Sequence, residues 1–467
     1  MRHPNPEDRS RRGFVGSCLG GSLLASGLAS ELLAATDRDG LSPRSSRFPA
    51  KAKKVIFVFF SGGVSHVDAF DPKPALSRDH GKQVTLDHPE TRGRGGYEKL
   101  FLKRPGWEFK PRGRSGIEIS DMFPHIASQI DQCALIRSMH TSHSNHFNAT
   151  LGMHTGSFAF SRPSIGSWVS FALGTNNSDL PSFLVLAPNM PYAGTQVWAS
   201  DFLPGAHQGT RVVGGADSVA NLKARLPIEQ QRKELEALAA INSIHGSTRP
   251  DASFLDARSR SFRTAFGMES AMPEAMNLAT ETEETKSLYG INRPECRTFG
   301  ELCLTARRMV ERGVRFVELI HTGSSGNWDS HGNMADHTRL AAQSDQPVGG
   351  LIADLARRGL LDETLVVWTT EFGRTPFNNR ADNPGREHHN WAFSSFLAGA
   401  GVKPGIVHGA TDEHGIRAVE KAVHVHDFHA TILHLMGLDH EKLTYRHAGR
   451  DYRLTDVHGT VAREVLA

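Results

Sequence analysis

A short unbroken apolar run near the start of the chain limits the possible folds more than any other feature. Residues 55–60 read VIFVFF, with no polar residue at alternate positions, and Ser61, Gly62 and Gly63 follow them. A strand with one face in water alternates apolar and polar residues, whereas a strand buried on both faces does not. The run therefore predicts a central strand of a parallel sheet that helices cover on both faces.

Strand-like and helix-like segments alternate along the rest of the chain. Apolar, β-rich runs predict further strands at residues 133–136, 183–186, 316–320, 364–369 and 393–398. Apolar residues at helical spacing predict helices at residues 229–238, 262–276, 301–312, 341–358 and 424–436. Residues 75–115, which are charged and rich in glycine, predict an insertion or a long loop. The alternation predicts a three-layer, doubly wound α/β domain with a mostly parallel sheet.

Polar residues cluster at the predicted strand ends. The clusters are His66 and Asp68 after the first strand, His140, His143 and His146 after the second, Asp329, His331 and His337 after the fourth, Glu371 and Arg374 after the fifth, and His388 and His389 before the last. Ligands in open α/β sheets bind at the carboxyl ends of the strands. The clusters therefore predict one shared functional site, and the second cluster lies on one helix face if its segment is helical.

Imidazole and carboxylate side chains together indicate a metal site. They are suitable ligands for zinc, manganese, iron or calcium, and one or two such divalent ions could polarise an ester oxygen and activate a nucleophile. Arg374 could hold an anionic phosphoryl or sulfuryl group with two parallel hydrogen bonds. The alternatives are that the histidines cap helices or lie in the core or on the surface, and that Arg374 forms an ordinary salt bridge.

The balance of charges and the cysteines exclude several other classes of protein. The net charge of +3, from 53 Lys and Arg against 50 Asp and Glu, gives no reason to expect binding to nucleic acid or to a membrane surface. After residue 35 the chain has only Cys133, Cys296 and Cys303, with no zinc-knuckle spacing. Cysteine is therefore not expected to carry the function.

The amino terminus has the pattern of an export signal. Residues 10–14 read SRRGF, a weakly apolar run covers residues 15–33, and Ala34 and Ala35 follow it. This pattern resembles a twin-arginine signal and predicts export to the periplasm or the extracellular space; a frayed basic tail is the alternative. The predicted organisation is a signal at residues 1–35, a linker at 36–52 and one domain at 53–467, with no transmembrane segment in the mature chain.

Four stretches carry a resemblance to a known family. They are residues 62–73 (GGVSHVDAFDPK), 328–332 (WDSHG), 370–376 (TEFGRTP) and 449–456 (GRDYRLTD). The chain resembles the exported domain-of-unknown-function family 1501, a branch of the alkaline phosphatase and sulfatase superfamily, over roughly residues 53–465. A late segment, residues 425–438, resembles the closing helix of sulfatase-like domains, and the spacing of its histidines favours a packing or surface role over metal binding.

The resemblance implies a set of metal ligands. The superfamily has a metal-binding Asp where this chain has Ser61, so His66 or Asp68 is expected to replace that ligand. Asp329 and His331 match the third cluster of the superfamily by residue type, and Glu371 supplies the carboxylate of the fourth. The last ligand is a His before the final strand, which His388 or His389 can supply.

The resemblance implies an unusual nucleophile. The superfamily nucleophile stands nine residues before the Thr of a Thr-Gly pair, and the residue nine before Thr155 is His146. His146 is therefore expected either to attack the substrate or to bind metal while hydroxide attacks directly, with metal binding favoured. Ser142 and Ser144 are nearby alternatives for the nucleophile, and Arg374 is the second catalytic candidate.

The resemblance also implies a function. We expect an exported, metal-dependent hydrolase of phosphate or sulfate esters, acting on an anionic small molecule or a polysaccharide ester. The Cys-x-Pro-Ser-Arg signature of ordinary sulfatases is absent, which argues against classical sulfatase chemistry. The alternative is a non-catalytic exported binding protein that keeps a metal in the same fold.

Overall fold

The apolar run at residues 55–60 lies in the middle of a nine-stranded sheet. The computed structural model describes residues 41–86, 99–213, 222, 226–247 and 253–467, and residues 41–467 form one compact unit. The predicted export signal at residues 1–35 lies outside the described residues. Within the part of the chain that is described, no helix is long and apolar enough to cross a membrane.

Twenty strands are present in the described residues. They are β1 Lys54–Phe60, β2 Gln83–Val84, β3 Leu100–Leu102, β4 Phe109–Arg112, β5 Ile117–Ser120, β6 Cys133–His140, β7 Phe183–Leu186, β8 Thr210–Val212, β9 Phe316–His321, β10 Thr364–Thr369, β11 Gly373–Arg374, β12 Phe377–Asn378, β13 His388–His389, β14 Phe393–Ala398, β15 Ile406–His408, β16 Ala410–Thr411, β17 Ala418–Glu420, β18 Val423–His424, β19 Tyr445–His447 and β20 Arg450–Tyr452.

Eleven α-helices are present in the same residues. They are α1 His66–Ala69, α2 Pro74–Arg78, α3 Pro124–Ala127, α4 His146–Thr155, α5 Ile165–Leu173, α6 Ile228–Ser247, α7 Ser253–Met276, α8 Glu283–Leu288, α9 Arg297–Glu311, α10 Asp336–Arg357 and α11 Val425–Leu435.

The central sheet is mostly parallel, as predicted. Its order is β15-β6-β14-β10-β1-β9-β7-β8, and β18 also pairs with β6. β1 is parallel to both of its neighbours, β9 and β10. β14 alone among these nine strands runs in the opposite direction, since it is antiparallel to both β10 and β6. The amino end of β14 therefore lies at the same edge of the sheet as the carboxyl ends of the other strands.

The two faces of β1 pack against two different helix layers. Ile56, Val58 and Phe60 belong to one apolar core, which includes residues of α3, α9 and α10. Val55, Phe57 and Phe59 belong to the other, which includes residues of α5 and α11. Successive side chains of a strand point to opposite faces, so a run without polar positions is buried on both sides. The three-layer α/β fold results directly, and the predicted fold class is confirmed.

In the described part of segment 75–115, which omits residues 87–98, the short strands β2, β3 and β4 pair in small sheets outside the central sheet, in keeping with an insertion. One local prediction from the sequence is wrong. His140, His143 and His146 do not share a helix face: His140 ends β6, and α4 begins only at His146, where the Asn145 side chain accepts a hydrogen bond from Phe147 N. The N-cap at Asn145 decides where the helix begins.

Several histidines are structural core residues, as the spacing in the last helix predicted. His429 is fully buried in α11, and its Nε2 donates to the Met153 carbonyl at 2.7 Å. Burial lowers the pKa of His429 to about 3, because the charged imidazolium would lose its hydration. The three cysteines of the described residues, Cys133, Cys296 and Cys303, are free and buried.

Replacement of His429 by Gln should weaken the acid sensitivity of folding. An unfolded His has a pKa near 6.5, so below that pH the unfolded chain binds a proton that the folded His429 takes up only near pH 3. Its contribution is present above pH 6.5, and about 2 kcal/mol should be lost between pH 7 and pH 5. Gln keeps an N–H donor for Met153 and does not titrate.

The measurement is urea unfolding at both pH values, with His447→Gln as an exposed control. We expect the difference in unfolding free energy between pH 7 and pH 5 to shrink by about 2 kcal/mol in His429→Gln only. An unchanged pH dependence in that variant would show that His429 is already protonated in the fold or titrates normally.

Candidate metal centre

Most of the predicted site residues meet at one edge of the sheet. Asp329 follows β9, Glu371 follows β10, and His146 begins the helix after β6. His388, in β13, precedes β14. The reversed direction of β14 is the feature that brings His388 to the edge formed by the carboxyl ends of the other three strands.

Three imidazoles surround a single carboxylate oxygen. The Nε2 atoms of His146, His331 and His388 lie 3.2, 2.8 and 3.2 Å from Asp329 Oδ1. The Nε2 atoms of His331 and His388 are 2.9 Å apart. His146, Asp329 and His388 each offer one ligand atom within 4.8 Å of the other two, and they are the one such group among the described residues.

The opposite nitrogen of each imidazole is held by an acceptor. His146 Nδ1 donates to Glu371 Oε1 at 2.7 Å, His331 Nδ1 to Glu387 Oε2 at 2.5 Å, and His388 Nδ1 to the Ser144 carbonyl at 2.7 Å. A proton on Nδ1 leaves the Nε2 lone pair free in a neutral imidazole. Histidines that bind metals are oriented in this way by carboxylates or carbonyls behind them.

Among the three imidazoles, His146 is the one whose Nε2 has the fewest other partners. Its side chain is 8% exposed, and Nε2 is buried without a partner in hydrogen-bond geometry despite its closeness to Asp329. An unpaired buried polar atom costs about 1–3 kcal/mol. Burial would lower the pKa of His146, but the carboxylates of Asp329 and Glu371 raise it, so positive charge is favoured at this position. A bound cation between His146, Asp329 and His388 would supply that charge and remove the cost of the unpaired nitrogen.

The electrostatics of the centre distinguish His331 from His388. Burial lowers the pKa of His388, which keeps its ring neutral. Hydrogen bonds to Asp329 and Glu387 raise the pKa of His331 to about 9, and this side chain is 40% exposed. Burial would raise the pKa of Asp329, but the close contacts with the three imidazoles and the charge of Arg374 hold it well below its usual range. His331 and Glu387 thus form the open side of the centre.

Glu371 lies behind His146 and is not aimed at the centre itself. The carboxylate is fully buried, and it accepts hydrogen bonds from His146 Nδ1 and from Gly62 N at 2.8 Å. Its second oxygen also accepts a bond from Thr370 Oγ1 at 3.2 Å. The predicted ligand Glu371 is therefore placed as the residue that orients His146.

Arg374 lies next to Asp329 and has few free N–H donors left to bind an anion. Its fully buried guanidinium donates to Asp329 Oδ1 at 2.6 Å, and also to the carbonyls of Gly62, Gly63 and Arg386. Four of its five N–H donors are therefore used, and two parallel bonds to a phosphoryl or sulfuryl group are not possible. The structure places Arg374 as the residue that orients Asp329.

A close crossing of two loops requires glycine at position 62. Gly62 has φ of 112°, and a Cβ there would lie 2.6 Å from Trp328 N and 2.8 Å from Asp329 N. Trp328 N donates to the Ser61 carbonyl at 3.1 Å. The turn after β1 therefore supports the loop that carries Asp329, and a side chain at position 62 would push the two apart.

Three predicted ligands are not brought into the centre. Asp68 is fully buried, with Arg386 Nε donating to it at 2.7 Å. The rings of His66 and His389 stack with centroids 5.7 Å apart, and their Nε2 atoms donate to the carbonyls of Gly415 and Ile416. Burial lowers the pKa of His66 to about 4 and that of His389 to about 3. These side chains stabilise the loops beneath the centre.

The sequence patterns did not reveal two residues next to the centre and one behind it. Tyr192 stacks on the His146 ring with centroids 4.2 Å apart, and Asn327 Nδ2 donates to the Tyr192 hydroxyl. Glu387 orients His331. Tyr192 lies shortly after β7, so the rule that ligands gather at strand ends, applied to the predicted strand at residues 183–186, would have found it.

The fold and the site together define a class of protein, a three-layer α/β domain with an imidazole and carboxylate centre at the strand ends. The chain belongs to the family described as "Protein of unknown function (DUF1501)", whose model matches residues 52–466. The family predicted from the sequence is thereby confirmed. No curated protein matches the chain in sequence.

Solved structures resemble the chain only distantly. They include the PsFucS1 sulfatase from Pseudoalteromonas sp., with 13% identity, 89% of this chain and 72% of that chain covered, and a TM-score of 0.35. The phosphonate monoester hydrolase from Silicibacter pomeroyi has 12% identity and a TM-score of 0.36, with 74% of this chain and 71% of that chain covered. The lipoteichoic acid synthase LtaP from Listeria monocytogenes has 12% identity and a TM-score of 0.35, with 90% of this chain and 79% of that chain covered. Likeness at this level says nothing about the chemistry of the site.

Replacement of Glu371 by Gln should weaken zinc binding without removing any ligand atom. The glutamine amide lacks the negative charge that holds the proton on His146 Nδ1. Its NH₂ group, unlike the carboxylate oxygen that it replaces, cannot accept a hydrogen bond. We expect zinc affinity to fall about 10- to 100-fold, measured by competition with a chromogenic chelator.

Glu363→Gln is the matched control, because Glu363 lies just before β10, at the other end of the same strand. His389→Gln should also bind zinc like the wild type, since His389 lies outside the centre. A loss of affinity in His389→Gln as large as that in Glu371→Gln would contradict this placement of the ligands.

Proposed function

We propose that this chain is a metal-dependent hydrolase whose divalent cation is held by His146, Asp329 and His388. The single observation that carries the proposal is the buried, unpaired Nε2 of His146, which faces Asp329 and His388 while Glu371 fixes the other side of the ring. Other buried rings, such as those of His66 and His429, also have an unpaired nitrogen, but among the described residues only His146 has that nitrogen within 4.8 Å of two further ligand atoms.

The donor set supports a transition metal more than calcium. Two imidazoles and one carboxylate match the three-protein-ligand pattern of catalytic zinc sites, which leave a coordination position open. Manganese and iron accept the same ligands, whereas calcium takes six to eight oxygen ligands. His331 Nε2, 2.8 Å from Asp329, could supply a fourth ligand from the exposed side. We propose one ion, with zinc, manganese or iron as its identity.

The residues around the ion have separate tasks. A divalent ion in this position would polarise an ester oxygen and make a water molecule more acidic. Glu371 and the Ser144 carbonyl keep the rings of His146 and His388 in place. If His331 does not bind the ion, we propose that this exposed ring, with Glu387 at its Nδ1, carries a proton at Nε2 instead.

Of the candidates for a covalent nucleophile, the His146 ring and the Ser142 hydroxyl are engaged in hydrogen bonds. His146 has Nδ1 bound to Glu371, and its Nε2 faces the ligand group. Ser142 Oγ lies 2.9 Å from His424 Nε2 in a hydrogen bond that involves its hydroxyl. Ser144 meets His388 through its carbonyl. These contacts support direct attack by water, so His146 is proposed as a ligand and not as the nucleophile.

The substrate class and the location rest on the family resemblance. We propose a phosphate or sulfate ester, either of an anionic small molecule or of a polysaccharide, and export through the twin-arginine-type signal to the periplasm or the extracellular space. Neutralisation of the substrate's charge would depend mainly on the bound cation, since the donors of Arg374 are already used.

One observation favours the second candidate function, a binding protein without turnover. The engaged Arg374 leaves the centre without the bidentate clamp that phosphoryl transfer commonly uses. A metallated protein that releases no product from a broad panel of phosphate mono- and diesters and sulfate esters would support this alternative.

Replacement of Asp329 by Asn should abolish both metal binding and hydrolysis. The amide cannot supply the negative oxygen that faces the imidazoles, and its N–H₂ group would repel the Arg374 donor. We expect the purified variant to contain less than about a tenth of the wild-type metal by elemental analysis, and to lose at least about 100-fold in kcat/KM on p-nitrophenyl phosphate or sulfate.

Asp382→Asn serves as the control, because Asp382 is exposed and pairs with Arg380 on the surface. It should keep wild-type metal content and rate. Full metal content in Asp329→Asn would contradict the ligand assignment, whereas metal-bound wild type without turnover would leave the site intact and replace the hydrolase by the binding protein.

A further inference from the structure

Tyr192 lies beside His146 at the sheet edge where the proposed metal ligands meet. It lies after β7 at the same sheet edge as Asp329 and His146, and it is partly exposed. Its ring lies flat on His146, with centroids 4.2 Å apart and planes inclined by 7°. The phenol therefore lies beside the one ring of the three whose Nε2 is buried and has no hydrogen-bond partner.

Among the described residues, the hydroxyl of Tyr192 has a hydrogen-bond donor but no acceptor. Asn327 Nδ2 donates to it at 2.9 Å and also donates to the Gly323 carbonyl at 2.8 Å. Asn327 Oδ1 accepts from Asp329 N at 3.2 Å. Within the described residues the hydrogen bonds include no acceptor for the Tyr192 proton. Asn327 thus fixes the phenol oxygen relative to Asp329 and leaves the proton available.

The phenol is a neutral donor at physiological pH. A tyrosine hydroxyl ordinarily has a pKa of about 10. A neutral O–H can donate to an oxyanion without the desolvation that a lysine or arginine would require.

We propose that Tyr192 is the hydrogen-bond donor for an oxygen of a tetrahedral oxyanion ligand, and that its ring separately positions the metal ligand His146. The inference rests on the proposed function, because it assumes a cation at His146, Asp329 and His388. It assigns to Tyr192 the recognition that Arg374, with four of its five donors used, cannot provide through two parallel hydrogen bonds.

The two tasks of Tyr192 can be separated by two substitutions. Tyr192→Phe keeps the ring that stacks on His146 and removes the hydroxyl. Tyr192→Leu removes both. The zinc-loaded full-length protein would be titrated with inorganic phosphate by calorimetry, and the metal-free protein with zinc by chelator competition. Tyr445→Phe, which removes a hydroxyl from β19 outside the centre, is the matched control.

We expect Tyr192→Phe to bind zinc like the wild type and to bind phosphate about tenfold more weakly, the effect of one lost hydrogen bond to an anion. Tyr192→Leu should lose about tenfold or more in zinc affinity, as is typical when a residue that orients a ligand is removed. Tyr445→Phe should change neither constant.

Phosphate affinity in Tyr192→Phe equal to that of the wild type, or no phosphate binding by the zinc-loaded wild type, would overturn the proposed donor role. Loss of zinc affinity in Tyr192→Phe equal to that in Tyr192→Leu would reduce Tyr192 to a structural role and overturn it as well. Either result leaves the proposed hydrolase standing if zinc binding and turnover persist. Failure of the wild type to bind zinc would instead overturn the proposed function, and this inference with it.

Discussion

The buried carboxylate of Glu371 joins three separate parts of the chain. It extends from the end of β10, accepts the main-chain N–H of Gly62 after β1, and holds His146 at the start of α4. A buried charge is tolerated only when its oxygens are paired in this way. Because the same carboxylate sets the turn at Gly62 and the ring of His146, the geometry of the strand edge and that of the metal centre depend on one another.

Arg374 performs the matching task on the other side of the centre. It binds the carbonyls of Gly62 and Gly63 and also the carboxylate of Asp329. Glu371 and Arg374 therefore act as a frame of opposite charges, one behind the His146 imidazole and one behind the Asp329 carboxylate, which we propose as ligands. Such a frame would hold the ligand atoms in place before an ion arrives, which is the arrangement that outer residues provide in metal proteins. The frame also explains why Glu371 and Arg374, which were predicted to contact the metal and the substrate, contact His146 and Asp329 instead.

Much of the fold and part of the site could be predicted from the sequence, for physical reasons. The unbroken run at residues 55–60 could only be a strand buried on both faces, and β7, β10 and β14 begin and end where their apolar runs do. The convergence of Asp329 and His146 could be expected from the strand-end rule, whereas His388 precedes its strand and reaches the same edge because β14 runs in the opposite direction. The exclusion of His66, Asp68 and His389 could not, because a partner such as Arg386, or the carbonyls of Gly415 and Ile416, is visible only in three dimensions. The same holds for Tyr192, whose role depends on stacking with a residue 46 positions earlier.

The central claim is that one cation lies between His146, Asp329 and His388. A crystal structure of the zinc-loaded protein, with anomalous diffraction measured on both sides of the zinc absorption edge, tests it most directly. We expect one strong anomalous peak about 2.0–2.2 Å from His146 Nε2, Asp329 Oδ1 and His388 Nε2. A peak between His66 and His389, or no peak at the strand edge in protein that carries zinc, would contradict it.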